Sequence, residues 1–481
     1  MDISTNSAAA IARPAGGLPA QRIDANGRAQ VDVRAVLALA LPLVANSAVQ
    51  IVLNITDIWF VGHLSAKSLA AVGAVHWLVL VVVFLFSGVG MAVQTIVAQA
   101  FGGRRFTRAS QAVWNALWGI LLALPVFLWV AVSGQPMLKP FGLDPEIERI
   151  ALEFWEPRLL GAAFGAAMWA IVGFFNGIGN SRLSLIFTAT VGIANALFNY
   201  LFIFQFHWGV AGSAWATNVA QAIGFAIALG FFLSETNRRV YRTHLTWRPI
   251  KSVLIRQLRL GFPMGLVPAA DLVGFAMFQI MQTRLGAAEG AASQTVMMLS
   301  AVSYMTGLGI AMAGTTLVGQ AIGAGDREWA ARLGNYVIGL VACLMGGIGV
   351  VLAATGPWVL PLFTTSADPD SARVIALGVQ LLWIATLYQF FDGLNFGSSF
   401  CLRGAGDAIV PAALVLALSW LVFIPVAHAL TFAPGQGWFD FLPQYGWGAI
   451  GGWVAVVIYL MLVGSVLFAR WRSGAWRRIT I

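Results

Sequence analysis

Charge is scarce in this sequence: only 10% of its 481 residues are Asp, Glu, Lys or Arg, against about 25% in an ordinary soluble domain. With 59% hydrophobic residues, the chain has too little polar surface to be a water-soluble globule, which excludes the common soluble enzyme classes. Cysteine is nearly absent. Cys343 and Cys401 lie within or at the end of apolar runs with no second thiol nearby, which excludes a disulfide framework and zinc-ligand spacing. The five histidines are scattered. His63, His76 and His428 read as satisfied polar residues rather than metal ligands, so no metal or catalytic constellation is expected. A Walker motif is also missing, which excludes ATP as an energy source. Residues 1–33 are rich in Ala, Gly, Pro and Arg without an apolar core, so they do not form a signal peptide and are predicted to be a disordered cytoplasmic tail.

What the sequence does contain is long apolar runs. Twelve, near 34–62, 69–101, 110–133, 158–177, 183–205, 209–233, 257–283, 291–322, 331–355, 374–400, 408–432 and 447–469, are each long enough to cross a ~30 Å hydrocarbon core as a helix. They lack the alternation of a membrane β-barrel. The predicted fold is therefore an all-α integral membrane protein with twelve transmembrane helices. Under this map 22 Lys and Arg residues fall on the side holding both termini. Only Lys67, Lys139, Arg149, Arg158, Arg284 and Arg373 fall on the other. That asymmetry predicts that both termini are cytoplasmic. The net charge of +9 thus reports topology and contact with anionic lipid rather than nucleic-acid binding.

The chain also repeats itself. At a shift of 221 residues, "GVGMAVQTIVAQAFGG" (88–103) falls on "GIAMAGTTLVGQAIGA" (309–324) with eight identities in sixteen, and Pro42 falls on Pro263. "FNGIGN" (175–180) pairs with "LRGAGD" (402–407) at a shift of 227. The predicted organisation is a six-helix bundle over 34–233, a basic cytoplasmic linker over 234–256, a second six-helix bundle over 257–470 and a cytoplasmic tail over 471–481. Six is even, so both copies enter the membrane in one orientation, as in parallel-repeat transporters that rock about a midplane cavity.

Of the nineteen acidic residues, only Asp57, Asp271 and Asp392 lie inside spans: the first, seventh and tenth. A charge at the bilayer centre costs roughly 2.5–3.5 kcal/mol even on the mild insertion scale, so such a residue faces a cavity and pairs, protonates or binds a cation. No lysine or arginine is expected at comparable depth to neutralise them. Burial and a neighbouring carboxylate both favour the protonated acid. Asp271 and Asp392 on facing helices are thus candidates either for proton exchange or for holding Na⁺ with carbonyl and amide oxygens. Phe275, Met277, Phe278, Met281, Phe390 and Phe391 are candidate cavity walls for flat cations through apolar and cation–π contact.

These residues resemble the multidrug and toxic compound extrusion (MATE) transporters, especially the NorM-like branch. "TDIWFVGHLSAKSLAAVG" (56–73), "VAQAFGG" (97–103), "VGQAIGAGD" (318–326), "RLGFP" (259–263), "NALFNYLFIF" (195–204) and "LYQFFDGLNFGSSFCLRGAGD" (387–407) are similar to that family's pattern in order and spacing. The resemblance implies that Asp57 and Asp392 serve cation coupling. It also implies that Asn195 and Asn199, on one face of a helix, orient Asp57 or ligate an ion, and that Asp271 stands where relatives carry a glutamate. It implies two six-helix lobes in a cell inner membrane. The expected activity is export of amphipathic, often cationic drugs in exchange for Na⁺ or H⁺, with no other cofactor, by a monomer that is not an enzyme.

Three other classes fit the sequence less well. An aspartyl protease needs two apposed intramembrane carboxylates, whereas "GAGD" (404–407) reads as a helix-ending turn in which Asp407 sits beside Arg403. A flippase for lipid-linked sugars is the alternative transporter, but its pyrophosphate substrates favour a cationic cavity. A channel needs a selectivity filter or a ring of identical charges, and the sequence shows neither.

Overall fold

The computed structural model describes residues 17–142, 144–363, 371–439 and 441–479. Its main helices are α1 (Val33–Gly62), α2 (Ala66–Gly102), α3 (Phe106–Val132), α4 (Pro145–Leu160), α5 (Ala162–Gly177), α6 (Ser181–Asn199), α7 (Gly209–Phe232), α8 (Lys251–Leu285), α9 (Ala287–Gly323), α10 (Arg327–Val359), α11 (Ser371–Ala405), α12 (Ile409–Leu418), α13 (Ile424–Thr431) and α14 (Gly448–Arg472). Among the described residues, eleven helical spans are long and apolar enough to cross a membrane, and the bent pair α4–α5, taken as one span, makes a twelfth.

The fourth span begins earlier than the sequence predicts. Asp144 accepts the N–H of Glu146 at 2.9 Å and Pro145 occupies the first turn, so α4 starts at 145. The helix then bends by 42° at Gly161, where a Cβ would lie 2.0 Å from the side chain of Asn218. Two other spans carry a π-helical turn, at Tyr200–Gln205 after α6 and at Ser419–Phe423 between α12 and α13. They fall in corresponding spans of the two repeats, at the end of the first and midway along the second. Such turns distort the regular backbone ladder and often mark functional regions.

The N-terminal segment departs from the expectation of disorder. Residues 1–16 lie outside the described residues, but β1 (Gln21–Ile23) and β2 (Ala29–Val31) form an antiparallel hairpin with Arg22 opposite Gln30. Asp24 Oδ1 accepts the N–H groups of Asn26 and Arg28 at 2.9 and 2.8 Å, closing the turn. Leu18, Ala20, Ala29 and Val31 pack on the C-terminal half, and Trp329 Nε1 donates to the Pro19 carbonyl at 2.8 Å. A segment too polar to build its own core is ordered here by a docking surface far away in sequence. The linker is likewise structured. It carries a short helix, Glu235–Tyr241, and α8 begins at Lys251. It is tied along α3 by Trp114 Nε1 donating to Thr243 O and by Asn115 Oδ1 accepting from Ile250 N. The C-terminal tail forms a 3₁₀ turn, Ala475–Arg478, whose Trp476 stacks on Trp471 with ring centroids 4.6 Å apart.

Packing follows the duplication. Within the halves, α2 packs on α5 and, equivalently, α9 packs on α11. Between them, α1 crosses α9 and α2 crosses α8, and α2 also meets α9. Small residues let the backbones approach, as expected where helices associate in lipid. A Cβ on Gly88 would sit 2.2 Å from the carbonyl oxygen of Gly261, and one on its repeat partner Gly309 would sit 2.5 Å from the backbone nitrogen of Val44.

Candidate functional site

The three intramembrane acids form two separate clusters, one in each half. In the C-terminal half, α8 supplies Asp271 and α11 supplies Asp392. Asp392 is buried, its Oδ1 accepts from Asn395 Nδ2 at 3.2 Å, and it acts electrostatically on Asp271. Tyr459 lies beside Asp271 and Ser419, and its ring stacks on Phe423 at 5.0 Å. Tyr304 packs edge-on against Phe396 beside both acids, and Tyr388 reaches Ser300. Hydroxyl, amide and carboxylate oxygens therefore converge where α8, α11 and α14 meet.

In the N-terminal half, Asp57 on α1 meets α6. Asn199 Nδ2 donates to Asp57 Oδ1 at 2.7 Å and to Asn195 Oδ1 at 3.1 Å. Asn195 Nδ2 donates in turn to Thr217 Oγ1 on α7 at 3.1 Å. The asparagines are fully buried. Asn199 Oδ1 is an acceptor with no hydrogen-bond partner, and an orphaned buried oxygen beside a carboxylate is a feature that a proton donor or a small cation would satisfy.

The expectation that no base lies near the acids is corrected by the structure. Arg158, on the last turn of α4, hydrogen-bonds Asn218 Oδ1 at 3.4 Å and acts electrostatically on Asp57. Arg403, near the end of α11, lies over the Phe400 ring at 4.5 Å and acts electrostatically on Asp271. Neither forms a salt bridge with an intramembrane acid among the described residues. The cause is side-chain length: position along a helix locates a Cα, whereas an arginine head group sits more than one helical turn away from its Cα. Thr217 and Asn218 were also missed, although two adjacent polar residues inside an apolar span were the available signal.

At the basic end the halves are tied by a duplicated contact. Gln99 Nε2 on α2 donates to the Gly404 carbonyl on α11 at 2.9 Å, and Gln320 Nε2 on α9 donates to the Gly177 carbonyl on α5 at 2.8 Å. Gln99 and Gln320 are repeat equivalents, as are Gly177 and Gly404. The backbones meet just as reciprocally: a Cβ on Gly102 would lie 2.0 Å from the Gln320 carbonyl oxygen, and one on Gly323 would lie 2.0 Å from that of Gln99. Gln94 Nε2, donating to the Met312 carbonyl and Thr316 Oγ1 at 3.0 Å, extends the seam inward. Among the described residues, no side-chain hydrogen bond joins the two bundles in the opposite half of the membrane. The two bundles are thus in direct contact at the basic end.

The MatE family model matches residues 42–201 and 263–428, one block in each half. The chain belongs to the MatE family. It is 29% identical over 426 residues to a probable multidrug resistance protein NorM of Agrobacterium fabrum, covering 85% of this chain and 90% of that one. It is 30% identical over 441 residues to the NorM protein of Aromatoleum aromaticum, covering 89% and 91%. Its fold is similar to a MATE crystal structure in complex with MaL6, with a TM-score of 0.82 at 19% identity over 92% of this chain and 97% of the other. It is also similar to an outward-facing MATE family transporter of the MOP superfamily, with a TM-score of 0.80 at 20% identity over 92% and 96%.

In this MATE chain the aromatic candidates divide. Phe278 and Met281 are fully buried, Phe278 against Trp453 and Phe423, so they are packing residues and not cavity walls. Phe275 is half-buried near Phe423, and Phe390 is exposed and edge-on to Phe391. The alternation of a helix face explains the split: residues 275, 278 and 281 lie along one side of α8, and only tertiary packing decides how much of that side is covered. Asp407 is buried and accepts from Arg470 Nε at 2.9 Å, so it serves as a structural ion pair rather than a protease carboxylate. His428 is also structural, its Nε2 accepting from the backbone N–H groups of Trp438 and Phe439 at 2.9 and 3.2 Å. Cys401 is buried, whereas Cys343 is exposed on α10, and both thiols are free.

Proposed function

We propose that this MATE protein is a secondary active multidrug exporter of the inner membrane. Its termini are cytoplasmic, and it exchanges amphipathic, often cationic compounds for Na⁺ or H⁺ by rocking its two halves. The observation that carries this reading is the Asp271–Asp392 pair, half-buried and buried, held in one half of a duplicated bundle whose halves, among the described residues, are joined by side-chain hydrogen bonds at the basic end. The chemistry it calls for is binding and release, which is the work of a transporter rather than an enzyme.

Coupling follows from competition. A cationic drug and the coupling cation both require the same carboxylates, so loading one discharges the other and the fluxes run in opposite directions. Each coupled charge contributes about 2.3 kcal/mol per 100 mV of membrane potential. Dye efflux from everted vesicles tests the reading: a Na⁺ pulse or an imposed proton gradient should drive cationic dye movement. Failure of both gradients with every dye would remove the exporter assignment and favour the flippase.

The N-terminal cluster makes a separable prediction. Asn199→Ala removes the 2.7 Å bond to Asp57, an interaction of about 1.5–3 kcal/mol for a hydrogen bond to a charged group. The concentration of coupling ion needed for half-maximal dye efflux should shift by roughly tenfold or more, while protein abundance in the membrane stays the same. An unchanged ion dependence would remove Asp57 and its asparagines from the coupling machinery.

A further inference from the structure

The basic face of the C-terminal half carries a polar concavity that includes none of the intramembrane acids. It encloses about 630 Å³ between the first turns of α10 and the segment that follows α14. Arg332, Arg472, Arg477 and Arg478 line it, with Glu328 as the one acid. Arg477 takes both carboxylate oxygens of Glu328, which leaves the Arg477 Nε buried without a hydrogen-bond partner. Arg332, Arg472 and Arg478 are exposed and have neither an acid nor a hydrogen-bond partner among the described residues. The floor is rigid. Trp471 and Trp476 are stacked and 2% exposed, Trp471 Nε1 donates to Asn335 Oδ1 at 3.0 Å, and the Trp471 ring lies against Gly334.

Three unneutralised guanidiniums around one hollow repel each other unless an anion joins them, and guanidinium forks match phosphate oxygens in pairs. The position chooses among anions. Arg472 is the last residue of a spanning helix, Arg332 lies in the second turn of another, and two tryptophans stand beside them. That is the depth of the lipid head groups, where aromatic anchors and basic clusters concentrate.

We propose that this groove binds the phosphate head group of an anionic phospholipid of the adjacent leaflet. The sidedness rule accounts for basic residues spread over the whole face, but it does not account for four arginines converging on one half-open hollow.

The test is binding of phosphatidylglycerol to the full-length protein in phosphatidylcholine nanodiscs, read by native mass spectrometry. Wild type should retain phosphatidylglycerol in preference to phosphatidylcholine. The triple variant Arg332→Gln, Arg472→Gln, Arg478→Gln should weaken retention by roughly a hundredfold, about fivefold for each arginine removed. The variant Arg104→Gln, Arg105→Gln, Arg108→Gln, on the same basic face outside the groove, should retain the lipid as wild type does. Thermal unfolding in pure phosphatidylcholine should match for all three proteins, because the replaced side chains are exposed. Equal retention of the two lipids, or equal loss in the two variants, would overturn the proposal. Displacement of the lipid by inorganic phosphate at equal concentration would reassign the groove to a soluble anion and overturn the lipid assignment.

Discussion

Replacing Asp392 by Asn should return a drug-sensitive host carrying this protein to the tolerance of a host without it, while leaving the protein abundant and folded. Asparagine keeps an acceptor oxygen for Asn395, 3.2 Å away, and keeps the side-chain shape, so the surrounding packing of α8, α11 and α14 is undisturbed. What disappears is the charge. At a pH high enough to ionise Asp392, where an intramembrane charge costs roughly 2.5–3.5 kcal/mol even on the mild scale, the variant should unfold at a higher temperature than wild type. Stability and activity should thus move in opposite directions, which a merely structural aspartate would not produce. Losing one coupled charge forfeits about 2.3 kcal/mol per 100 mV, roughly fiftyfold in the attainable concentration ratio of substrate. Asp271→Asn should act on the same step, and the double variant should lose little beyond either single one, since groups that act as a unit are not additive. Drug tolerance, vesicle dye efflux and thermal unfolding measured together check the prediction. Wild-type tolerance in Asp392→Asn would overturn the coupling role.

The second large effect is expected at the seam between the halves. Gly102→Val places a Cβ 2.0 Å from the Gln320 carbonyl oxygen. The obstacle is helix backbone, so no rotamer change relieves it and α2 must separate from α9. Overpacking of this kind costs about 1–3 kcal/mol or more, and each 1.4 kcal/mol shifts a two-state equilibrium about tenfold. The arrangement with the halves in contact at the basic end should therefore be depopulated by roughly ten- to a hundredfold, and transport should fall with it, because alternating access needs both arrangements. Spin labels at the exposed positions Arg105 and Arg327 should report longer distances in Gly102→Val and in its repeat equivalent Gly323→Val. Gly73→Val is the control, since nothing lies within 4 Å of a Cβ there. Wild-type distances and transport in Gly102→Val would show that this contact is not part of the moving seam.

The same seam shows where sequence reading succeeds and where it stops. The repeat "VAQAFGG" and "VGQAIGAGD" was legible as a duplication, and hence as two bundles in one orientation. Nothing in either string says that Gln99 reaches into the opposite half while Gln320 returns the same contact to the first. The acids show a similar limit. Scarcity of charge inside apolar runs singled out Asp57, Asp271 and Asp392, but their division into one cluster with α6 and another between α8 and α11 depends on helix packing. The asparagines at 195 and 199 were placed on one face by their spacing, and their partner Asp57 lies 142 residues from Asn199.

Hydrophobic run length, charge sidedness and internal repetition are one-dimensional properties. The lipid solvent reads them directly, so the sequence alone determined the spans, the duplicated organisation and which acids lie inside the spans. Helix rotation, the reach of Arg158 and Arg403, the burial of Phe278 and Met281, and the docking of the N-terminal hairpin on Trp329 were decided only by the tertiary structure. Each depends on which surface of a distant helix arrives opposite, and that is settled by packing between segments a hundred or more residues apart, where local pattern carries no information.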